Sequence, residues 1–268
     1  MGAFAPLGSA ADPAKVARRI VFALGLALAS TLVGVLLVHA QSAASSPPRR
    51  VAQPVAPRKA PQPVARVRHR DPGLLVARVR PGRVVAVRTA PGGAVVARLS
   101  ARTEFGSPQT LAVTRTRSSA YGVISTTLPN GRTGWVDAGS GALRLMRTRV
   151  TLDVDLSARL LRVRNGSRVV RRISVGTGAT STPTPAGRFT ITDKLRGADY
   201  SAAYGCCILA LSGHQTNLPR GWTGGDRLAI HGGSTAGGVS SGCLHAATRD
   251  LVYLMRSVPL GALVVIHP

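Results

Sequence analysis

From residue 72 to the C-terminus the chain is a succession of short β-branched runs cut by turn dipeptides, the signature of an all-β chain. The runs Arg83–Val87, Ala94–Ala97, Leu111–Val113 and Gly122–Ile124 alternate with turn dipeptides at Pro81-Gly82, Pro91-Gly92 and Asn130-Gly131. Asn-Gly ahead of Thr133-Gly134-Trp135-Val136 is a hairpin signal, because both residues tolerate the left-handed backbone a tight turn requires. From Arg149 the strands grow more regular. Val150–Leu156 alternates with period two, and Leu160–Arg164 and Val169–Val175 come next, across Asn165-Gly166. Arg188–Thr192, Ile208–Leu211 and Ala262–Ile266 complete the set. One helix is expected at Thr248–Ser257, with Thr248 as N-cap and Asp250 in the first turn, where the helix dipole favours an anion. The expected class is mostly β with one or two short helices.

The first 71 residues are of another kind. After Lys15, Arg18 and Arg19 comes an uncharged apolar stretch of 19 residues, Ile20–Val38, close to the roughly 20 needed to cross a bilayer as a helix. The basic flank places residues 1–19 in the cytoplasm and the chain beyond the stretch outside. Val38-His39-Ala40 also has the small-residue spacing of a cleavage site, so residues 20–40 are a retained anchor or a signal segment, with export in either case. Residues 41–71 are rich in Ala, Pro, Val and Arg without helical or strand period, and read as a semi-rigid basic linker. Lys plus Arg total 35 against 10 acidic residues, a formal charge of +25, and all but three of the basic residues are Arg. That balance predicts attraction to anionic wall polymers and lipid headgroups. With 4% aromatics offering few stacking platforms, and with an export segment, nucleic acid is not an expected partner.

The chemistry-bearing stretch runs from Ala229-Ile230-His231-Gly232-Gly233 to Ser240-Ser241-Gly242-Cys243-Leu244-His245. A thiol nucleophile needs a base and backbone N–H groups aimed at the developing oxyanion. His231 ends an apolar strand, the Gly232 carbonyl is placed to orient its ring, and Gly242 lets the backbone turn sharply at Cys243. On these grounds alone a buried thiol beside a satisfied core histidine fits equally well.

Two resemblances bear on this pattern. Residues 72–147, ending in Gly-Trp-Val, look like a small SH3-like barrel, a wall-binding or spacer module or simply a packing partner for the C-terminal half. Residues 148–268 resemble the L,D-transpeptidase (YkuD-type) catalytic domain. The resemblance rests on His231-Gly232 followed by Ser240-Ser241-Gly242-Cys243. Val154–Ser157 with Asn165-Gly166, and Gly176-Thr177-Gly178 through Thr182-Pro183-Thr184-Pro185-Ala186-Gly187-Arg188-Phe189, extend it. It implies a β-sandwich-like catalytic domain acting on peptidoglycan stem peptides outside the membrane, without metal, nucleotide or other cofactor. In that family Cys243 would attack the carbonyl before a terminal D-Ala, His231 would carry the proton and the Gly232 carbonyl would hold the ring. The amides of Ser241, Gly242 and Cys243 would form the oxyanion hole. Ser241 stands where the family often has His or Lys. His245 replaces a usual Arg or Asn, which bears on substrate anchoring.

Other residues carry weaker signals. Adjacent Cys206 and Cys207 are expected as small buried hydrophobes, since neighbouring cysteines strain the peptide when they pair. A sharper alternative has one of them bridging to Cys243 and silencing it. His214 is a candidate for the substrate cleft or a surface loop, and Tyr204-Gly205 for part of a lid. Zinc held by His231, Cys243, His245 and Cys206 is disfavoured by the missing Cys-x-x-Cys or His-x-x-x-His spacing. A wall-binding protein with a degenerate catalytic domain, or an L,D-carboxypeptidase, remains the alternative to a transpeptidase.

Overall fold

The computed structural model describes residues 72–236 and 238–268. The apolar stretch at 20–38 and the Pro-rich linker at 41–71 lie outside the described residues. Among the described residues no helix is long and apolar enough to cross a membrane.

Seven strands form the first sheet: β1 Leu74–Val79, β2 Val85–Arg88, β3 Val95–Leu99, β4 Thr110–Arg117, β5 Ala120–Val123, β6 Gly134–Asp137 and β7 Leu143–Thr148. Their order is β3-β2-β6-β5-β4-β1-β7, with every pairing antiparallel. Alternate side chains such as Ala77, Val79, Val85, Val87, Leu111 and Val136 make its core. The β5–β6 connection spans residues 124–133, longer than the tight hairpin expected, and Asn130-Gly131 makes a turn within it (Arg132 N to the Pro129 carbonyl, 3.1 Å) with Gly131 at φ +78°.

Only Arg149 separates β7 from the second sheet. That sheet comprises β8 Val150–Asp155, β9 Leu160–Asn165, β10 Arg168–Ser174, β11 Gly187–Arg196, β12 Cys207–His214, β13 Arg227–His231, β14 Leu244–His245 and β15 Leu263–His267. The order is β10-β9-β8-β15-β11-β12-β13-β14, with β8–β15 and β13–β14 parallel. The expectation of a sandwich is corrected: this is one curled mixed sheet rather than two stacked ones. The long strand β11 explains the difference. Residues 187–190 pair with β15, residues 191–196 pair with β12, and the register shifts between Ile191 and Asp193. One strand therefore serves both halves, and its irregularity bends the sheet between them.

The curl encloses a core of fully buried Leu152, Leu161, Phe189, Ile191, Leu209 and Ile230. Helix α1, Thr248–Ser257, adds Leu251 and Leu254 to it. Its N-cap is Ala247, not the expected Thr248, and no side chain caps it. Its first turn is tied instead by Asp250, which accepts from Arg171 Nε and Nη2 at 3.1 and 2.7 Å. At the other end Lys194 Nζ donates to the Met255 carbonyl at 2.7 Å, a cation on the negative pole of the helix.

The two sheets fall in one compact unit. The loop after β3 carries the junction: Thr103 Oγ1 donates to Asp193, Glu104 pairs with Arg227, and Phe105 meets Tyr200 edge-on at 6.2 Å. A second clamp is Asn130, which donates to the His214 carbonyl (2.6 Å) and accepts from the His214 amide (2.9 Å).

Candidate active site

The parallel pairing of β13 and β14 sets Ile230 opposite Leu244 and His231 opposite His245. Cys243, the residue before Leu244, thus reaches the same cleft as His231 although twelve positions separate them. The connecting loop is held at both edges, by Gly176 N to the His245 carbonyl (2.9 Å) and Ala179 N to the Ser240 carbonyl (2.8 Å).

His231 is 5% exposed. Its Nδ1 lies 2.7 Å from the Gly232 carbonyl oxygen. A carbonyl only accepts, so Nδ1 carries the hydrogen and Nε2 is left with its lone pair as a base. The ring is packed edge-on by Tyr204 (4.8 Å, 84°) and at a tilt by His245 (4.7 Å, 51°). Burial, then the charge of a protonated His245, push the His231 pKa down to about 4, against the opposing pull of the Gly232 carbonyl. The imidazole is therefore neutral at physiological pH.

Cys243 is the free cysteine among the described residues. It packs against an apolar cluster of Leu195, Tyr204, Ile208 and Ala229. Its Sγ donates to the Arg227 carbonyl at 3.9 Å, and no hydrogen bond joins it to His231 among the described residues. Burial pushes the thiol up to about 11. The resting pair is thus a thiol and an imidazole, not a thiolate–imidazolium pair. Alkylation of Cys243 by iodoacetamide should consequently be slow at neutral pH and rise about tenfold per pH unit until it levels off near pH 11. A rate that levels off below pH 8 would contradict this.

The turn at Ser240–Cys243 is fixed by short contacts. Ser240 Oγ donates to the Cys243 carbonyl (2.6 Å) and accepts from Gly242 N (3.1 Å). Of the three amides expected to form an oxyanion hole, that of Gly242 is engaged by Ser240 Oγ here, while those of Ser241 and Cys243 have no partner among the described residues. Gly242 has φ +112°, and an added Cβ would collide with Gln215 Nε2. That amide nitrogen donates to the carbonyls of Ser241 (3.1 Å), Pro183 (3.0 Å) and Thr182 (3.3 Å), locking the cysteine turn to the Thr-Pro segment.

The structure gathers His231, Ser241, Cys243, His245 and Tyr204 around one cavity of about 190 Å³ that Trp222 also lines. Tyr204 is not a lid. It is 8% exposed, packs edge-on against the His231 ring, and its carbonyl accepts from Gly232 N at 2.9 Å. His214 does not line the cavity, because its ring is held between Asp226 (Nδ1 to Oδ2, 3.0 Å) and the Thr126 carbonyl (Nε2, 2.7 Å). Cys206 and Cys207 are corrected as well. They are bonded to each other as the chain leaves the Ala202–Tyr204 turn for β12, so neither is a free thiol or bridged to Cys243. Among the described residues no group of three or more His, Cys, Asp or Glu is placed to hold a metal ion.

Gln215 and Arg227 escaped the sequence reading, and Ser240 was read only as part of the Ser240–Cys243 motif, without a role of its own. Arg227 alone left a signal there, as a charge at the head of the apolar run Leu228-Ala229-Ile230. It is 9% exposed, donates Nε and Nη2 to the Leu211 carbonyl (3.0 and 2.6 Å) and Nη2 to Thr192 Oγ1 (2.8 Å), and pairs with Glu104.

The family model described as the L,D-transpeptidase catalytic domain (YkuD) matches residues 149–266. No curated protein matches the chain. Among solved structures, an L,D-transpeptidase from Mycobacterium smegmatis is similar at 16% identity over 59% of this chain and 82% of that one, with a TM-score of 0.37. One from Mycobacterium tuberculosis H37Rv shares 16% identity over 51% and 72%, with a TM-score of 0.36. One from Stackebrandtia nassauensis shares 21% over 46% and 57%, with a TM-score of 0.34.

Proposed function

Residues 149–266 belong to the YkuD family of L,D-transpeptidase catalytic domains, and on that premise we propose that the chain cross-links peptidoglycan stem peptides through a Cys243 acyl-enzyme. The observation that carries the reading is the His231 ring, held through Nδ1 by the Gly232 carbonyl with Nε2 left basic, in one cleft with the free thiol.

Cys243 Sγ attacks the carbonyl between the third stem residue and the terminal D-Ala. As the C–S bond forms, the thiol proton passes to His231 Nε2, and the amides of Ser241 and Cys243 receive the oxyanion. The tetrahedral adduct collapses, the C–N bond breaks, and the imidazolium returns the proton to the leaving amine. An imidazole with a pKa near 4 is a weak base in the resting site but a strong acid once charged, which suits protonation of an amine. The side-chain amine of a second stem then attacks the thioester and frees Cys243. Water in its place makes the enzyme a carboxypeptidase. His245, packed on the His231 ring with Nδ1 3.1 Å from the Ser234 carbonyl, would shape the base rather than anchor substrate by charge, since burial holds its pKa down. Residues 20–40 would anchor or export the chain, 41–71 would space it from the membrane, and the first sheet would serve as the SH3-like module.

Incubating the full chain with a tetrapeptide stem and analysing the products by mass spectrometry tests the reading. A dimer linked between third residues, with D-Ala released, is the expected result. Tripeptide alone would assign the carboxypeptidase, and unchanged tetrapeptide would leave a wall-binding protein with an inactive cleft.

A further inference from the structure

A second concavity shares no lining residue with the Cys243 cleft. It lies on the first sheet, has a volume of about 740 Å³, and five of its twelve lining residues are arginines: Arg78, Arg80, Arg83, Arg102 and Arg144. No acidic residue lines it, and none of the five makes an ion pair among the described residues.

Three features separate this cluster from an ordinary solvated basic face. Arg78 on β1 stands directly opposite Arg144 on β7, and like charges in that position destabilise a sheet unless something neutralises them. Arg78 Nε is shut off from solvent and has no hydrogen-bond partner among the described residues, so its guanidinium is left under-satisfied by the protein around it. Two of the guanidiniums are also fixed in place: Arg80 Nε donates to the Leu143 carbonyl at 3.2 Å, and Arg102 Nη1 to the Gly106 carbonyl at 2.6 Å. Held guanidiniums with unused N–H groups are forks suited to phosphate oxygens.

We propose that this arginine-lined concavity binds a linear phosphate-bearing polymer of the cell envelope. Five cations without a counter-charge call for several anions in succession, not one. A recessed site admits a chain, whereas the flat headgroup plane of a bilayer meets only its rim. The lining holds no aromatic side chain, so bases would find nothing to stack on. The envelope source rests on the proposed function; the groove's affinity for polyphosphate does not.

The test is binding of a short linear polyphosphate to the full chain in detergent at physiological ionic strength, beside orthophosphate, oligothymidylate and phosphatidylglycerol vesicles. Because the whole chain is basic, the control removes equal charge elsewhere. Arg78→Gln/Arg144→Gln is compared with Arg168→Gln/Arg188→Gln, two exposed arginines of the second sheet. The first pair should weaken polyphosphate binding about tenfold or more and flatten its salt dependence, the second less than about twofold. Polyphosphate should raise the melting temperature of the parent and the control but not of the Arg78/Arg144 variant. Cys243→Ala should bind as the parent does, which separates this site from the cleft. Equal losses in the two double variants, or tighter binding of orthophosphate, oligothymidylate or vesicles through Arg78 and Arg144, would overturn the proposal.

Discussion

Replacing His231 with Gln is expected to slow acylation of Cys243 at neutral pH by roughly 10²–10⁴-fold. The magnitude comes from the two ionisations in the cleft. With its thiol pushed up to about 11, Cys243 is thiolate in only about one molecule in ten thousand at pH 7. Attack at that pH therefore needs a base that takes the proton as the C–S bond forms, and Nε2 of His231 offers such a lone pair. Without it the reaction falls back on spontaneous thiolate, so the variant's rate should climb about tenfold per pH unit from pH 8 toward 11. The parent should stay nearly level from about pH 5 to 8 and lose rate only as pH falls through about 4, where His231 becomes protonated. Rapid acylation of the variant followed across pH, with its fold checked by circular dichroism, decides the matter. A variant within threefold of the parent and equally independent of pH would remove His231 from the role of base.

Arg227→Met should destabilise the protein by about 3–5 kcal/mol, lowering its melting temperature by roughly 6–20 °C. The side chain is 8% exposed while its partner Glu104 is 51% exposed, so the change acts chiefly on what lies around the guanidinium. It would leave the Leu211 carbonyl without two donors and remove the buried cation whose charge interacts with that of fully buried Asp193. Asp193 keeps Thr103 on Oδ1, but its Oδ2 has no partner among the described residues. By contrast Glu104→Gln should cost less than about 1 kcal/mol, because the half-exposed carboxylate is already largely solvated and Arg227 keeps its bonds to the Leu211 carbonyl and Thr192 and the neighbouring charge of Asp193. The same residue links stability to the cleft, since the Arg227 carbonyl is where Cys243 Sγ points. Thermal melts of the two variants separate the effects, and a melting temperature for Arg227→Met within 2 °C of the parent would contradict the account.

What the sequence disclosed and what it hid divide along physical lines. Turns set by one or two residues were legible. Gly82, Gly92 and Gly166 each sit at positive φ in the turns that Pro-Gly or Asn-Gly announce. The helix at 248–257 was legible from Thr248 and Asp250 at its start, while what holds its first turn was not, because Asp250 bonds to Arg171 on a distant strand. The curl of the second sheet was illegible for the same reason. It depends on β11 pairing with β15 and β12, partners 79 and 20 residues apart at Gly187–Ile266 and Ile191–Leu211. The placing of His231 beside Cys243 was read from residue type, spacing and resemblance. Nothing local tells that the thiol turns toward Arg227, that Ser240 occupies the Gly242 amide, or that Gln215 reaches across to the Ser241 carbonyl. The cysteine pair failed differently: a general argument from strain gave way to a chain path that brings both sulfurs together.

The central claim is that Cys243 is a nucleophile. Intact-mass spectrometry of the full chain with a tetrapeptide stem, beside Cys243→Ala, tests it most directly. The account predicts that the parent gains the mass of the stem less D-Ala, that peptide mapping puts the adduct on Cys243, and that the variant gains nothing. A folded parent with its Cys243 thiol reduced that stays unmodified, or an adduct that persists in Cys243→Ala, would contradict it.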